Sequence, residues 1–568
     1  MKKIPFILFF VSLISFSKIL AQDGTLKVGP KLKGARSIID ISLENNDLAV
    51  LTSKGTDLNY WKLSPVSLIP SGEAKPISAP KSKATGNVMN SDEYNFYTEL
   101  ELEGKNIIFY TKYDKKAKTS ALYYQDLDKT FKPVTKGSKL ASRSTKAAKT
   151  GLFNMISYDG GGYSIRTNRQ GDKVLIINQA PGKKVDKKIL PGEVTLSVYD
   201  PKDMSEIVSS TFDLGIYSYG SSAVIGDNGY VYSLVLVEAD TRQERKEKRK
   251  NGEASWYYKI VGVNVNEPDS KPFEYDLIFK NKGILRAALE VTHAGELICA
   301  GTYSELTKKG RVDDFDGVFY AKLDPKTGEV IADNHKKLDR STVEFLTTKR
   351  NAKKNEGVST EFKLRGYEAM ANGTSNLILE EEFVIITQTR DSKGNTRTRY
   401  DYYSKAILVA NIASNGEINW IKHIPKFQHT VNDGGIYNSF TYYVDKNSMK
   451  FLFADNSSNY DPKTFKLKPE RAKNINDMKS SKYAKSLALV KMDENGNIEQ
   501  KLVASAKKHA LFTKWGIWSK SGNEVYMQAG TKMTVGKQLF AIICFPYGCY
   551  LLATGMKPSY ALARLEID

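Results

Sequence analysis

Three cysteines and five histidines in 568 residues leave little material for thiol or metal chemistry. The histidines, His293, His335, His423, His429 and His509, are scattered, and no HExxH spacing sets two of them on one helix face. His423 and His429 come closest, six apart across a turn, a weak ligand signal. No adjacent cysteines mark a bound quinone. GIYSYG around Ser218 lacks nucleophile-elbow spacing, and DDFDG from Asp313 to Gly317 lacks the remaining ligands of a calcium loop. No catalytic constellation, metal or cofactor is therefore expected, although a glycosidase carboxylate pair leaves no local motif and stays open.

Long uninterrupted apolar runs are also missing, since Pro546 and Gly548 break the one from Leu539 to Met556. The stretch from Phe6 to Phe16 is too short to cross a bilayer, and no transmembrane span is expected. It follows Lys2 and Lys3 and precedes a small-residue exit at Ala21, so residues 1–21 read as a secretory signal cleaved before Gln22. No cysteine follows to receive a lipid. The chain is expected to be exported and soluble, with a formal charge of +20 that stays strongly basic once the signal is removed. Export argues against nucleic acid and for an anionic envelope polymer or an acidic protein surface as partner.

What is abundant is period-2 apolar alternation around short polar turns. One unit recurs eight times: a strand, a tight turn and a second strand, as in SSAVIGDNGYVYSLVLV with its turn at Asp227, Asn228 and Gly229. Equivalent turns are placed near Asn46, Gly104, Gly171, Gly295, Glu381, Asn447 and Gly522. A third strand and second turn follow, ending on Gly328, Gly416 and Gly496, with Leu323, Ile412 and Met492 at one shared position. SVYDPKDMSEI, with Tyr199 and Asp200, is a fourth copy without glycine. Four-stranded units repeated this way predict an all-β protein, one eight-bladed β-propeller over residues 22–568. The last unit ends on a third strand at Tyr560 to Ile567, while GTLKVGPKL after the signal is a spare strand. This N-terminal strand is expected to complete the last blade and close the ring.

The segment KLDPKTGEVIAD, Lys322 to Asp333, resembles the repeat of the PQQ-like propellers, which include quinoprotein dehydrogenases and the propeller subunit of the outer-membrane barrel assembly machine. Those repeats carry a Trp after the glycine turn that docks neighbouring blades; here only Trp420 stands there. The resemblance implies a propeller fold and transfers no functional residue.

In a meandering blade, turns after strands one and three lie on one face and the other connections on the opposite face. Insertions at about 240–256, 341–370, 391–403, 460–481 and 538–557 all fall on the second face, as does a basic connection with Lys136, Lys139, Arg143, Lys146 and Lys149. That basic rim is suited to an anionic partner, although any one such loop can equally be a plain solvated surface. LFAIICFPYGCYLLATGM, Leu539 to Met556, holds no charge. It is expected to form an apolar hairpin that docks through Leu539, Phe540, Ile542, Ile543, Phe545, Tyr547, Tyr550, Leu551 and Leu552, or else folds back as a lid. Cys544 and Cys549 face each other across its turn, positioned for a disulfide. YDGGGYS and NDGGIYN place Asp159, Tyr163, Asp433 and Tyr437 near the channel mouth, as ligand contacts or simple turns.

The resulting expectation is a non-enzymatic periplasmic propeller that binds an outer-membrane protein assembly or barrel translocon, even occluding its periplasmic mouth. The alternative is a carbohydrate-active enzyme or glycan binder using the channel mouth.

Overall fold

In the computed structural model, residues 26–566 are described except 78–93, 146–161, 213–217, 348–352, 354–356, 480–485, 506–509, 512–517, 522–523, 532–558 and one or two residues at several other points. Among the described residues strand makes up 61% and helix 5%, an all-β protein built on eight four-stranded antiparallel sheets, consistent with a β-propeller. In chain order the sheets cover residues 37–77, 94–144, 162–212, 218–277, 282–337, 362–424, 440–505 and 518–566.

The fifth sheet shows why the sequence folds this way. Leu297–Glu305 and Gly317–Leu323 are near-continuous apolar strands and are buried along almost their whole length. Lys282–Val291 alternates, and Val330–Lys337 is polar and largely exposed. The order is therefore set by burial: the most apolar strands sit in the middle, sandwiched between neighbouring sheets, and the polar strand takes the edge.

First turns sit at the left-handed residues Asn46, Gly104, Gly171, Gly229, Gly295, Gly373 and Lys446. The sixth of these corrects the expectation at Glu381, which lies inside the continuous strand Ser375–Arg390. Turns between third and fourth strands use Gly328, Gly416 and Gly496, but also Leu68, Phe131 and Met204 at φ between 58° and 63°. These three side chains are buried in the core, and that burial offsets the strain of a left-handed non-glycine residue.

Neighbouring sheets dock through these second turns. Trp420 of the sixth sheet packs on Gly496 of the seventh, where a Cβ would stand 3.0 Å from the indole, and its Nε1 donates to the Glu494 carbonyl at 3.3 Å. Tyr232 does the same to Pro325 at 2.8 Å and Tyr124 to Asp203 at 3.1 Å. Each pair of consecutive sheets shares an apolar cluster, from Leu51 with Tyr110 between the first two to Val525 with Leu489 between the last two. A further cluster joins the eighth to the first, through Tyr526 and Leu562 against Leu48, Val50 and Trp61. Leu26–Val28 pairs antiparallel with the last strand, Leu26 opposite Leu565 and Val28 opposite Ala563. Cys299 is buried, free and apolar in its surroundings, and burial pushes its thiol up.

Two insertions differ from expectation. Residues 341–370 are not all insertion, because Phe362–Ala369 is the first strand of the sixth sheet; its polar residues line a cavity and so mask the alternation. Residues 391–403 are mostly strand: Thr396–Ile412 continues unbroken into the sheet.

Candidate functional site

The connections after second and fourth strands carry the elaborate structure, as loop lengths imply. After the second strand of the fourth sheet comes the helix Arg242–Lys250, capped by Thr241, whose Oγ1 accepts from the Glu244 amide at 3.1 Å. None of its residues is buried. It is held by its edges: Arg245 Nε donates to the Ala239 carbonyl at 3.0 Å, and Lys248 reaches Glu253 at 3.2 Å while lying 4.3 Å from the Tyr257 ring centroid. Six of its nine residues are basic. Beside it, the 308–311 turn of the fifth sheet completes a crevice of about 300 Å³ lined by Arg245, Arg249, Lys309 and Arg311 against Glu253 and Asp313. The balance of charge favours an anionic group there.

Of the basic connection before the third sheet, Lys139 and Arg143 belong to the edge strand Ser138–Ser144. Lys136 lies between third and fourth strands and so belongs to the short-turn side, a correction that removes it from the basic rim. Lys146 and Lys149 lie outside the described residues.

The expected docking hairpin, with Leu539, Phe540, Ile542, Ile543, Phe545, Tyr547, Tyr550, Leu551 and Leu552, and with Cys544 and Cys549, lies outside the described residues, as does Asp159. Tyr163 is 6% exposed, packs between the second and third sheets and donates to the Ser120 carbonyl at 2.7 Å. Tyr437 is 3% exposed within the cluster that joins the first and eighth sheets. Neither ring is presented to an open mouth, because at those positions apolar burial between sheets outcompetes exposure. Asp433 makes a turn, its Oδ1 accepting from the Gly435 amide at 3.0 Å. His423 and His429 part company: His423 stacks on Phe345 and burial lowers it to about 4, while His429 Nε2 meets Asp401 Oδ1 at 2.7 Å. Among the described residues no group of three ligand side chains is placed to hold a metal.

Two polar assemblies left no sequence signal. First strands of the third to sixth sheets converge on a cavity of about 520 Å³ lined by Arg166, Asn168, Gln170, Asp227, Glu290 and Glu368. On the first strands of the first and second sheets stand Asp40 and Glu99. Burial, then the charge of Glu101, raises Asp40 to about 6; burial, then Asp40, raises Glu99 well above the carboxylate range. The two carboxyls thus bear on one another across the boundary between these sheets.

No family model matches the chain, and no curated protein matches it. Solved structures similar to it include an uncharacterized protein of Listeria monocytogenes, 9% identical over 79% of this chain and 94% of that one, with a TM-score of 0.34. Another is the β-propeller domain of the Trilobed protease of Pyrococcus furiosus, 11% identical over 76% and 90%, TM-score 0.31. Prolyl oligopeptidase B of Galerina marginata is 7% identical over 88% of this chain, TM-score 0.38, and the chain spans 56% of its length. At such identities and scores, none of these speaks to what this chain does.

Proposed function

We propose that the chain is a non-enzymatic binding propeller: eight blades, closed by Leu26–Val28, docking an acidic surface of an outer-membrane protein assembly in the periplasm. Support for closure comes from the Leu26 to Leu565 pairing and from the apolar cluster joining the eighth sheet to the first. Export rests on the signal-like residues 1–21.

One observation carries the docking reading: the helix Arg242–Lys250 contributes nothing to the core yet is capped, pinned and set beside a second basic loop. Isolated helices this short are marginal in water, so a structural purpose would require an apolar face that this one lacks. Its exposed basic side chains are suited to recognising an anionic surface.

The experiment compares recovery of outer-membrane proteins from solubilised envelopes by the native chain, by a charge-reversed helix (Arg242→Glu, Lys246→Glu, Arg249→Glu, Lys250→Glu) and by a chain lacking 539–556. Recovery that falls with added salt and is lost on charge reversal is expected. Undiminished recovery of the same partners by the reversed helix would overturn the proposal.

A further inference from the structure

The crevice beside the helix Arg242–Lys250 is fixed by its own backbone. Asn281, left-handed at φ 60°, donates its amide to the Gly252 carbonyl at 2.7 Å and accepts at its carbonyl from the Leu306 amide at 3.0 Å. One residue therefore ties the loop that carries the helix to the 306–311 loop of the next sheet. That second loop is also closed on itself: the Thr307 amide donates to the Arg311 carbonyl at 3.0 Å, and Thr307 Oγ1 accepts from the Arg311 amide at 3.1 Å. Val312, Leu306 and Ala254 all pack on Gly283, where a Cβ would stand 2.3 Å from Val312 Cγ2, so both loops rest on one strand. Arg249 is placed by the same packing. Its Cγ lies 2.9 Å from where a Cβ on Gly310 would stand, and its stem crosses the turn at a residue with no side chain to obstruct it.

Of the two carboxylates in the lining, Glu253 is already matched by Lys248 at 3.2 Å, and Lys248 does not line the crevice. Among the described residues no carboxylate is paired with Arg249, Lys309 or Arg311. Three cations from two loops therefore have only Asp313 to answer them, in a hollow whose shape is set before anything binds. A carboxylate ligand brings one charge and two oxygens and would leave cations unserved. A phosphate monoester brings about two charges and three terminal oxygens, and its geometry matches guanidinium forks. The rest of the lining is not cationic: the half-buried Trp256, with Ser255 and Asp313. An indole beside a hydroxyl and a carboxylate suits a ring that carries hydroxyls.

We infer that this crevice binds the phosphate monoester of a sugar, the phosphate among Arg249, Lys309 and Arg311 and the sugar ring against Trp256. The inference rests on the reading that the basic helix recognises anions, and it names the anion. Arg242, Lys246 and Lys250 do not line the crevice and stay available to the docked protein surface.

The test is titration calorimetry of the full chain with glucosyl phosphate, inorganic phosphate and glucose. Glucosyl phosphate is expected to bind about tenfold tighter than inorganic phosphate, and glucose not measurably. Arg311→Ala and Lys309→Ala, both at exposed positions, are each expected to weaken both anions about tenfold, by loss of a charge-assisted contact. Trp256→Ala should remove only the advantage of the sugar ester. Equal affinity of the parent chain for glucosyl phosphate and inorganic phosphate overturns the inference, as does binding that neither Arg311→Ala nor Lys309→Ala weakens. Flotation with vesicles that carry a phosphorylated glycolipid separates the sources. Co-flotation that glucosyl phosphate competes away assigns the ester to a lipid headgroup, and its absence beside tight calorimetric binding assigns it to a soluble sugar; co-flotation that glucosyl phosphate leaves unchanged overturns the inference. None of these variants touches the four helix positions reversed in the envelope experiment, so docking can hold where the crevice fails, and the reverse.

Discussion

Tyr526 in the eighth sheet, whose hydroxyl donates to the Glu524 carboxylate, brings that hydroxyl within 3.4 Å of the carbonyl of Pro65 in the first, 461 residues earlier. Pro65 holds the same place in its turn as Pro325 and Glu494, the acceptors of Tyr232 and Trp420. The contact between the last sheet and the first thus repeats the one between sheets adjacent in sequence.

If that contact closes a ring, losing the strand beside it should matter more than losing the hydrogen bond. Tyr526→Phe is expected to cost about 1 kcal/mol. Leu26→Asp, which buries an unpaired carboxylate opposite Leu565, is expected to cost roughly 3 kcal/mol or more. Urea midpoints measure both; equal small losses would count against closure.

Gly496 has φ +77° and no room beneath the Trp420 indole. Gly496→Ala therefore meets backbone strain and a clash together, about 1 to 3 kcal/mol. With Trp420→Ala the contact with the indole disappears, leaving the strain and the flexible Lys422 side chain at 3.0 Å, so the double variant should lose less than the sum of the singles in a thermodynamic cycle.

Lys426 and Glu380 form a fully buried pair at 2.8 Å, with Ser404, Ser439, Gln428 and Arg365 completing their hydrogen bonds. Desolvation alone would raise the Glu380 carboxyl; Lys426 and then Arg365 outweigh it and hold the group at about 2. Glu380→Gln leaves the ammonium buried without its counter-charge and is expected to cost roughly 3 to 5 kcal/mol. Glu380→Gln with Lys426→Met should recover part of that loss. Chemical unfolding reads the difference, and an equal loss in the double variant would refute the pairing as its cause.

Asp455 behaves in the opposite sense. Burial raises its carboxyl from 3.8 to about 7, against hydrogen bonds from Tyr460, Asn456 and Asn459. A raised folded value favours the protonated fold: the contribution is complete below pH 3.8, declines as pH climbs and is lost through about pH 7. Asp455→Asn should therefore raise Tm relative to the parent chain more at pH 8 than at pH 5. A pH-independent difference would discount the titration.

The strand-and-turn units were legible because Gly229, Gly295, Gly328, Gly416 and Gly496 mark left-handed turns that glycine favours. Where Leu68 and Phe131 take the same conformation, no local letter announces it; burial supplied by neighbouring strands decides. The consecutive Glu380, Glu381 and Glu382 read as a turn because their compensating cations, Lys426, Lys405 and Lys363, arrive from other segments of the sheet. Asp40 and Glu99 were illegible for a similar reason, since only the packing of one sheet beside the next brings them together. Residues 391–403 read as an insertion because the apolar residues Phe383 to Ile386 that reveal the long strand pair lie before them.

Leu26–Val28 pairs with a strand ending at Glu566, and this has a kinetic consequence. The eighth sheet cannot be completed until its last strand has been made, so its formation must await a contact that spans nearly the whole of the described residues. Folding should accordingly show a late, slow phase in which seven sheets are in place and the final seam is open, and that interval is when the chain is most exposed to proteolysis.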